Sequence, residues 1–313
     1  HRVTAAAGEA QLVARIRDEM LDSPGRRITF ARFMQRALTE PGLGYYATSE
    51  MRPTRSGDFL TAPELHPFFG RCLGRLVAVA VEASGSAPFR VLEFGAGRGT
   101  LRDAATDGLG YNVDWVRADL PGRSDSLAGP VDLVLANEYL DALPVHRLRM
   151  AEELREVYVT WDGTGFDEVE GEPSTAALAA HLEADGVELS AGQRAEVCLE
   201  APRWLMRTAG LLVPGAALVV MDYGHDAAEL YGPRRMAGSL LTYRGHQVGE
   251  DPFVAVGHTD ITAHVDITAL ERAAAGAGLV LLGATTQGPF LLSLIHISEP
   301  TRRNQSSRMP SSA

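Results

Sequence analysis

The chain has 313 residues, 45% hydrophobic and 22% charged, enough for a large apolar core and one or two domains. Against 29 basic residues stand 40 acidic ones, a formal charge of −11, which argues against nucleic acid as the main partner because phosphate binding needs a basic face. No apolar run is long enough for membrane insertion and no secretory signal is visible, while Cys72 and Cys198 show neither metal-ligand spacing nor a disulfide framework, so a reducing compartment is expected.

Residues 9–22 place Leu12, Val13, Ile16 and Met20 on one helical stripe, ended by Ser23-Pro24-Gly25. A second helix is predicted from Phe30 to Leu38, with Thr29 as N-cap. Pro41-Gly42 then turns the chain into Gly44-Tyr45-Tyr46. The stretch GDFLTAPELHPFFG (57–70) reads as a loop leading into a helix from Pro67 to Val81, with Thr61 and Glu64 at capping-box spacing. From Phe89 onward strands and helices alternate in the α/β manner. VDLVLA (131–136) is a buried strand, and Leu154 to Val169 is a hairpin turning at Asp162-Gly163. A polar stretch runs to about Gln193. Ala195 to Leu212 fits a helix that Pro214-Gly215 terminates, and Ala217 to Met221 is a further core strand ending at Asp222-Tyr223-Gly224. A helix from Ile267 to Ala277 and a strand from Leu279 to Leu282 close the recognisable part.

Both ends look artificial. The chain begins at His1 rather than a methionine, so a fragment is expected. The run LSLIHISEPTR (292–302) resembles the translation of a transposon adapter used in sequencing libraries. Residues 292–313 are therefore set aside as a non-native tail, expected to pack poorly.

The chain is organised around Phe89 to Leu101, FRVLEFGAGRGTL. Phe89, Val91, Leu92 and Phe94 read as a buried parallel strand, and Gly95, Gly97 and Gly99 follow at every second position before a helix-compatible segment. A strand that breaks into a glycine turn beneath a helix N-terminus lets backbone approach a ligand closely. Dinucleotide-binding loops space their glycines G-x-G-x-x-G, whereas here Thr100 occupies the last glycine's place. That spacing speaks against a Rossmann oxidoreductase, and Asn137-Glu138-Tyr139 is not the proline-rich turn of an adenine methyltransferase. In open α/β sheets, ligands bind beyond the carboxyl ends of the strands. Three such ends carry polar residues: Gly95 to Gly99, Asn137-Glu138 and Asp222-Tyr223.

The E-x-G-x-G-x-G form beginning at Glu93 resembles the first motif of class I S-adenosylmethionine (SAM) methyltransferases. Further segments sharpen the likeness: ITFARFMQRAL with PGLGYY (28–46), GDFLTAPELHPFFG (57–70), ANEYLDALPV (136–145), MDYG (221–224), YRGH (243–246) and HTDITAHVDI (258–267). In this order they resemble the MidA-like methyltransferases, a family that includes a mitochondrial assembly factor of respiratory complex I.

The resemblance implies a class I α/β fold with a Rossmann-like sheet, an N-terminal helical segment (1–85), a SAM domain (86–291) with a substrate-region insertion near 150–195, and a truncated C-terminus. It implies SAM as cofactor, a bacterial cytoplasmic location (mitochondrial for a eukaryotic member), and a protein substrate with a target arginine, such as a respiratory NADH dehydrogenase subunit. A small-molecule methyltransferase and a non-catalytic assembly protein are the alternatives. Cofactor-binding candidates are Glu93, which in such folds commonly faces the cofactor's amino group, Gly95, Gly97, Gly99, Asn137 and Asp119, which, with Asp114 as the alternative, would stand in for the acid that holds the ribose. Catalytic candidates are Glu138, Asp141, Glu64 and Asp222. Were the chain helical after Asn137, Glu138 and Asp141 would share a face and cap the helix start or orient a guanidinium by its donors. Asp260 and Asp266 read as caps of the following helix, with a substrate-site role as the alternative, and His246, His258 and His264 reach metal-binding geometry only if folding gathers them. Residues 101–130 are too few for two more strands and three crossovers of roughly 10–12 residues each, so the family's second strand is expected to be lost or badly shortened.

Overall fold

The computed structural model describes residues 7–48, 67–119, 129–245 and 247–296. Its centre is a four-stranded parallel sheet in the order β3-β2-β4-β9, formed by β2 (Phe89–Phe94), β3 (Val113–Ala118), β4 (Val131–Asn137) and β9 (Leu212–Met221). Period-two alternation decides what each face covers. Val91, Leu133 and Leu135 pack against Val77 and Val81 of α3 (Pro67–Ser84). Ala136 and the half-buried Phe94 pack instead with Trp204 and Leu205 of α6 (Glu200–Ala209) and Leu270 of α8 (Ile267–Gly276). Both faces are covered, which is why β4 is apolar at nearly every position.

The strand expected to be lost is present. β3 pairs with β2 along its whole length, from Phe89↔Val113 to Phe94↔Ala118. The short α4 (Thr100–Thr106) makes that connection compact, so six residues of strand fit in the space available. Its packing on α3 needs two glycines: an added Cβ would lie 2.4 Å from Ala104 Cβ at Gly70, and 2.3 Å from the Ala105 carbonyl oxygen at Gly74.

A second sheet carries the strands of the insertion. β1 (Arg27–Thr29), β6 (Leu154–Trp161), β5 (His146–Met150) and β8 (Arg194–Val197) pair in that order, and β7 (Phe166–Gly171) pairs with β6 across the expected hairpin. Asp162 Oδ1 fixes that turn by accepting from the backbone N–H groups of Thr164 (2.6 Å) and Gly165 (2.8 Å). Helix α5 (Ala177–Ala184) lies in the stretch read only as polar. Helices α1 (Ala7–Asp22) and α2 (Phe30–Thr39) pack here through Leu12, Ile16, Phe30 and Phe33 against Val145 and Val159. Thr29 caps α2 by accepting from Arg32 N–H at 3.1 Å. The expected N-terminal segment is thus shared between two layers, α1 and α2 on the insertion sheet and α3 on the parallel sheet.

Smaller strands complete the site: β10 (Gly224–His225), β11 (Leu241–Arg244), β12 (Gln247–Gly249), β13 (Asp260–Thr262) and β14 (Val265–Asp266), with α7 (Ala227–Leu230) after β10. Three expectations fail against tertiary contacts. The helix expected over Ala195 to Leu212 begins only at Glu200, because Arg194–Val197 gains ladder bonds to β5. Leu279 to Leu282 is not a strand, and Leu282 stands 90% exposed with no strand paired to it among the described residues. Within the segment set aside as tail, residues 292–296 belong to α9 (Gln287–His296), whose Leu294 is buried against Phe69 and Leu73 of α3, and Arg75 donates to the Ile295 carbonyl at 2.6 Å. An apolar stretch finds an apolar groove whatever its origin.

Candidate active site

The carboxyl ends of β2, β4 and β9 open onto a cavity of about 880 Å³. Gly95, Gly97 and Gly99 all take positive φ, 67°, 48° and 77°. They do different work. A Cβ on Gly95 would press to 3.1 Å on the Tyr139 ring, so this glycine admits the aromatic packing of Tyr139 with Phe94 and Trp204. A Cβ on Gly97 would meet nothing closer than the Gly95 carbonyl oxygen at 4.0 Å, so a side chain here would enter the open cavity. Gly97 N–H donates to Asp119 Oδ2 at 3.2 Å, and Asp119 stands one residue past the end of β3.

Glu93 lines the cavity but is 3% exposed, its Oε2 accepting from Trp115 Nε1–H at 2.7 Å. Burial pushes its carboxyl up to about 7, against the pull of the Trp115 bond. Asn137, at the end of β4, also lines the cavity, and its Oδ1 is buried with no hydrogen-bond partner among the described residues. A buried acceptor left unpaired awaits a donor. A glycine backbone open to approach, an unpaired acceptor and two carboxylates together fit a ligand with donors and positive charge, as the amino-acid end of SAM has.

The chain is not helical after Asn137. Glu138 takes φ 48°, a left-handed conformation rare for a side-chain-bearing residue, and the chain turns through 138–143. Such strain persists only where surrounding structure enforces it. Here Glu138 N–H donates to the Met221 carbonyl at 2.9 Å, while Asp222 Oδ2 accepts from Tyr139 N–H at 3.1 Å and Leu140 N–H at 2.8 Å. Asp222 is absent from the cavity wall; it holds the loop from behind, and burial raises its carboxyl to about 6.

Glu138 and Asp141 both line the cavity, brought together by this turn rather than by helical spacing. Burial raises Asp141 well above the ordinary carboxylate range, reinforced by the negative charges of Asp222, Asp260 and Glu138. Asp260, which the sequence suggested as a cap, also lines the cavity and accepts from the Tyr46 hydroxyl at 2.7 Å. Asp266 does cap α8, accepting from Ala269 N–H at 3.0 Å. Tyr45, Tyr46, Tyr223 and Tyr243 line the cavity as well. Tyr46 and Asp260 both lie in segments singled out for family likeness, but nothing local marks residues 214 positions apart as partners. His264 lines the cavity and its Nδ1 lies 3.5 Å from Arg235 Nη1, with the His225 ring beside it. Glu64 and His246 lie outside the described residues.

A parallel sheet that opens through a left-handed glycine turn onto an acid-lined cavity defines a class I cofactor-binding α/β enzyme. The family model described as "Putative S-adenosyl-L-methionine-dependent methyltransferase" matches residues 102–285. A solved structure from Burkholderia thailandensis, bound to S-adenosyl-homocysteine, superimposes with a TM-score of 0.83 at 34% identity, covering 92% of this chain and 81% of that one. The mitochondrial protein arginine methyltransferase NDUFAF7 of Mus musculus is 28% identical over 326 residues, 85% of this chain and 70% of its own length. Its Danio rerio counterpart is 27% identical over 321 residues, 85% of this chain and 73% of its own length. The chain belongs to this family of SAM-dependent methyltransferases. No helix among the described residues is long and apolar enough to cross a membrane.

Proposed function

We propose that this enzyme is a protein arginine N-methyltransferase. The observation that carries the reading is the pair of carboxylates, Glu138 and Asp141, in the cavity wall directly after the cofactor-side residue Asn137. A guanidinium stays protonated to a pH above about 12, so it presents donors and no free lone pair. Carboxylates orient it through charge-assisted hydrogen bonds. We assign Glu138, fixed by its strained turn, and Asp141 to that task, with Asp222 holding their loop. Glu93, Gly97, Asp119 and Asn137 hold SAM, which when bound supplies an electrophilic methyl group. The guanidinium nitrogen keeps its proton until its lone pair is engaged, and Asp141, ionised beside the bound guanidinium, receives that proton as the methyl group is transferred.

The names of the mitochondrial relatives support a protein arginine substrate, and the MidA-like resemblance directs the proposal to a respiratory NADH dehydrogenase subunit, methylated in the bacterial cytoplasm. The test makes Glu138→Gln and Asp141→Asn separately and measures both methyl transfer to the subunit and SAM affinity. Transfer falls about 100-fold or more in at least one variant, with SAM affinity near wild type. Full turnover in both, or joint loss of SAM binding, refutes the carboxylate assignment. Absence of methylarginine in the wild-type product refutes the reaction class.

A further inference from the structure

The cavity's acidic region has a second wall. Three segments meet there: the turn after α2 brings Tyr46, the loop after β4 brings Asp141, and β13 brings Asp260. Their relative placement is fixed by backbone. Ala263 N–H donates to the Asp141 carbonyl at 3.0 Å, tying the strand of Asp260 to the loop of Asp141. β11 pairs antiparallel with β13, and Tyr243 stands opposite Asp260 in that register, which places both side chains on one face. Asp260 itself is only 7% exposed, yet it lines the cavity and its Oδ1 accepts from the Tyr46 hydroxyl at 2.7 Å.

We propose that Asp260, oriented by the Tyr46 hydroxyl and flanked by the Tyr243 ring, is a specificity-determining carboxylate that contacts the substrate's guanidinium from this second wall. The proposal rests on the arginine reading above and extends it from one pair of acids to an acid-and-aromatic enclosure. The alternative is a purely structural bond that anchors the turn at Tyr46 to β13. Charge separates the two. An anchoring bond needs only an acceptor, which asparagine also offers, and no negative charge. The negative charge is costly here, because Asp260 acts on the buried Asp141 together with the charges of Glu138 and Asp222. A bound cation offsets that repulsion, and tyrosine rings beside the acid add attraction for a planar cation. Tyr46 acts through Asp260 and is a positioning residue.

The test uses the intact chain, saturated with S-adenosyl-homocysteine, and titrates it calorimetrically with Nα-acetyl-arginine N-methylamide and with the citrulline counterpart, its neutral isostere. Wild type binds the arginine compound at least about 10-fold more tightly than the citrulline compound. In Asp260→Asn that preference falls about 10-fold or more, while S-adenosyl-homocysteine affinity and melting temperature stay near wild type. Tyr46→Phe, which deletes one hydroxyl and no charge, keeps the preference but weakens binding of the arginine compound about 2- to 5-fold, and Asp260→Glu recovers part of what asparagine loses. Full arginine preference in Asp260→Asn overturns the proposal, and so does a wild type that binds both compounds alike or neither. If Asp260→Asn does not fold, unchanged affinity in Tyr46→Phe overturns it. Methyl transfer is scored separately. A wild type that prefers arginine through Asp260 yet yields no methylarginine refutes the proposed reaction and leaves the cation site standing.

Discussion

Replacing Glu93 with glutamine removes one buried ionisable group and changes little in shape, since glutamine still offers an oxygen to Trp115 Nε1–H. The folded-state pKa of Glu93 is raised by burial from 4.5 to about 7. Between those values the folded protein holds a proton that the unfolded chain has already released, so stability falls as pH rises through that window. The gap amounts to about 3 kcal/mol, fully lost once pH exceeds the folded value. Below pH 4.5 both states are protonated and the penalty vanishes. Relative to wild type, cofactor-free Glu93→Gln therefore gains stability between pH 4.5 and 8, by up to about 3 kcal/mol at the alkaline end. Urea unfolding of both proteins at several pH values reads this directly. The variant binds S-adenosyl-homocysteine more weakly, the usual cost of stabilising a ligand site. Wild-type binding near pH 6.5 releases a proton as the ligand's ammonium favours the ionised carboxylate, visible in calorimetry across buffers of different ionisation enthalpy. Parallel stability curves, with one constant offset at every pH, refute the reasoning.

Gly97→Val places a branched side chain at φ 48°, pointing into open cavity; the protein stays folded, and calorimetry detects no SAM binding. Glu138→Gly relieves the left-handed strain and raises stability by about 1 kcal/mol in denaturant titrations, while methyl transfer is lost. Gly74→Ala drives a Cβ to 2.3 Å from the Ala105 carbonyl oxygen; α3 must shift away from α4, lowering stability by about 1–3 kcal/mol with SAM affinity little changed.

Local pattern was enough to read much of the fold. The apolar runs of β2 and β4, the amphipathic stripe of α2, the Thr29 cap and the Asp162-Gly163 hairpin each depend on residues within a few positions of one another, and all appear as expected. The glycine turn belongs to the same class, because three glycines in seven residues have few other uses after a buried strand. Errors arose where a local preference met a distant partner. Arg194–Val197 is helix-compatible alone and becomes a strand because β5 offers its edge. Among the described residues, 101–130 carry one strand rather than the two a full sheet would need, and that one is β3, the strand expected to be lost, held by its pairing to β2.

The site divides in the same way. Gly95, Gly97 and Asn137, which line the cavity, could be chosen from the sequence, since a parallel sheet presents the carboxyl ends of its strands to the ligand side, and Glu93 from the family likeness; Gly99 is not part of the cavity wall. Tertiary structure alone decided the rest. It put Glu138 in a left-handed turn instead of a helix, set Asp222 behind the loop rather than in the cavity, and joined Tyr46 to Asp260 across 214 residues of chain. A carboxylate's role depends on which way its neighbours force it to point and how much water they leave around it. Those neighbours come from α2, β4, β9 and β13, segments whose separation in sequence carries no record of their meeting in space.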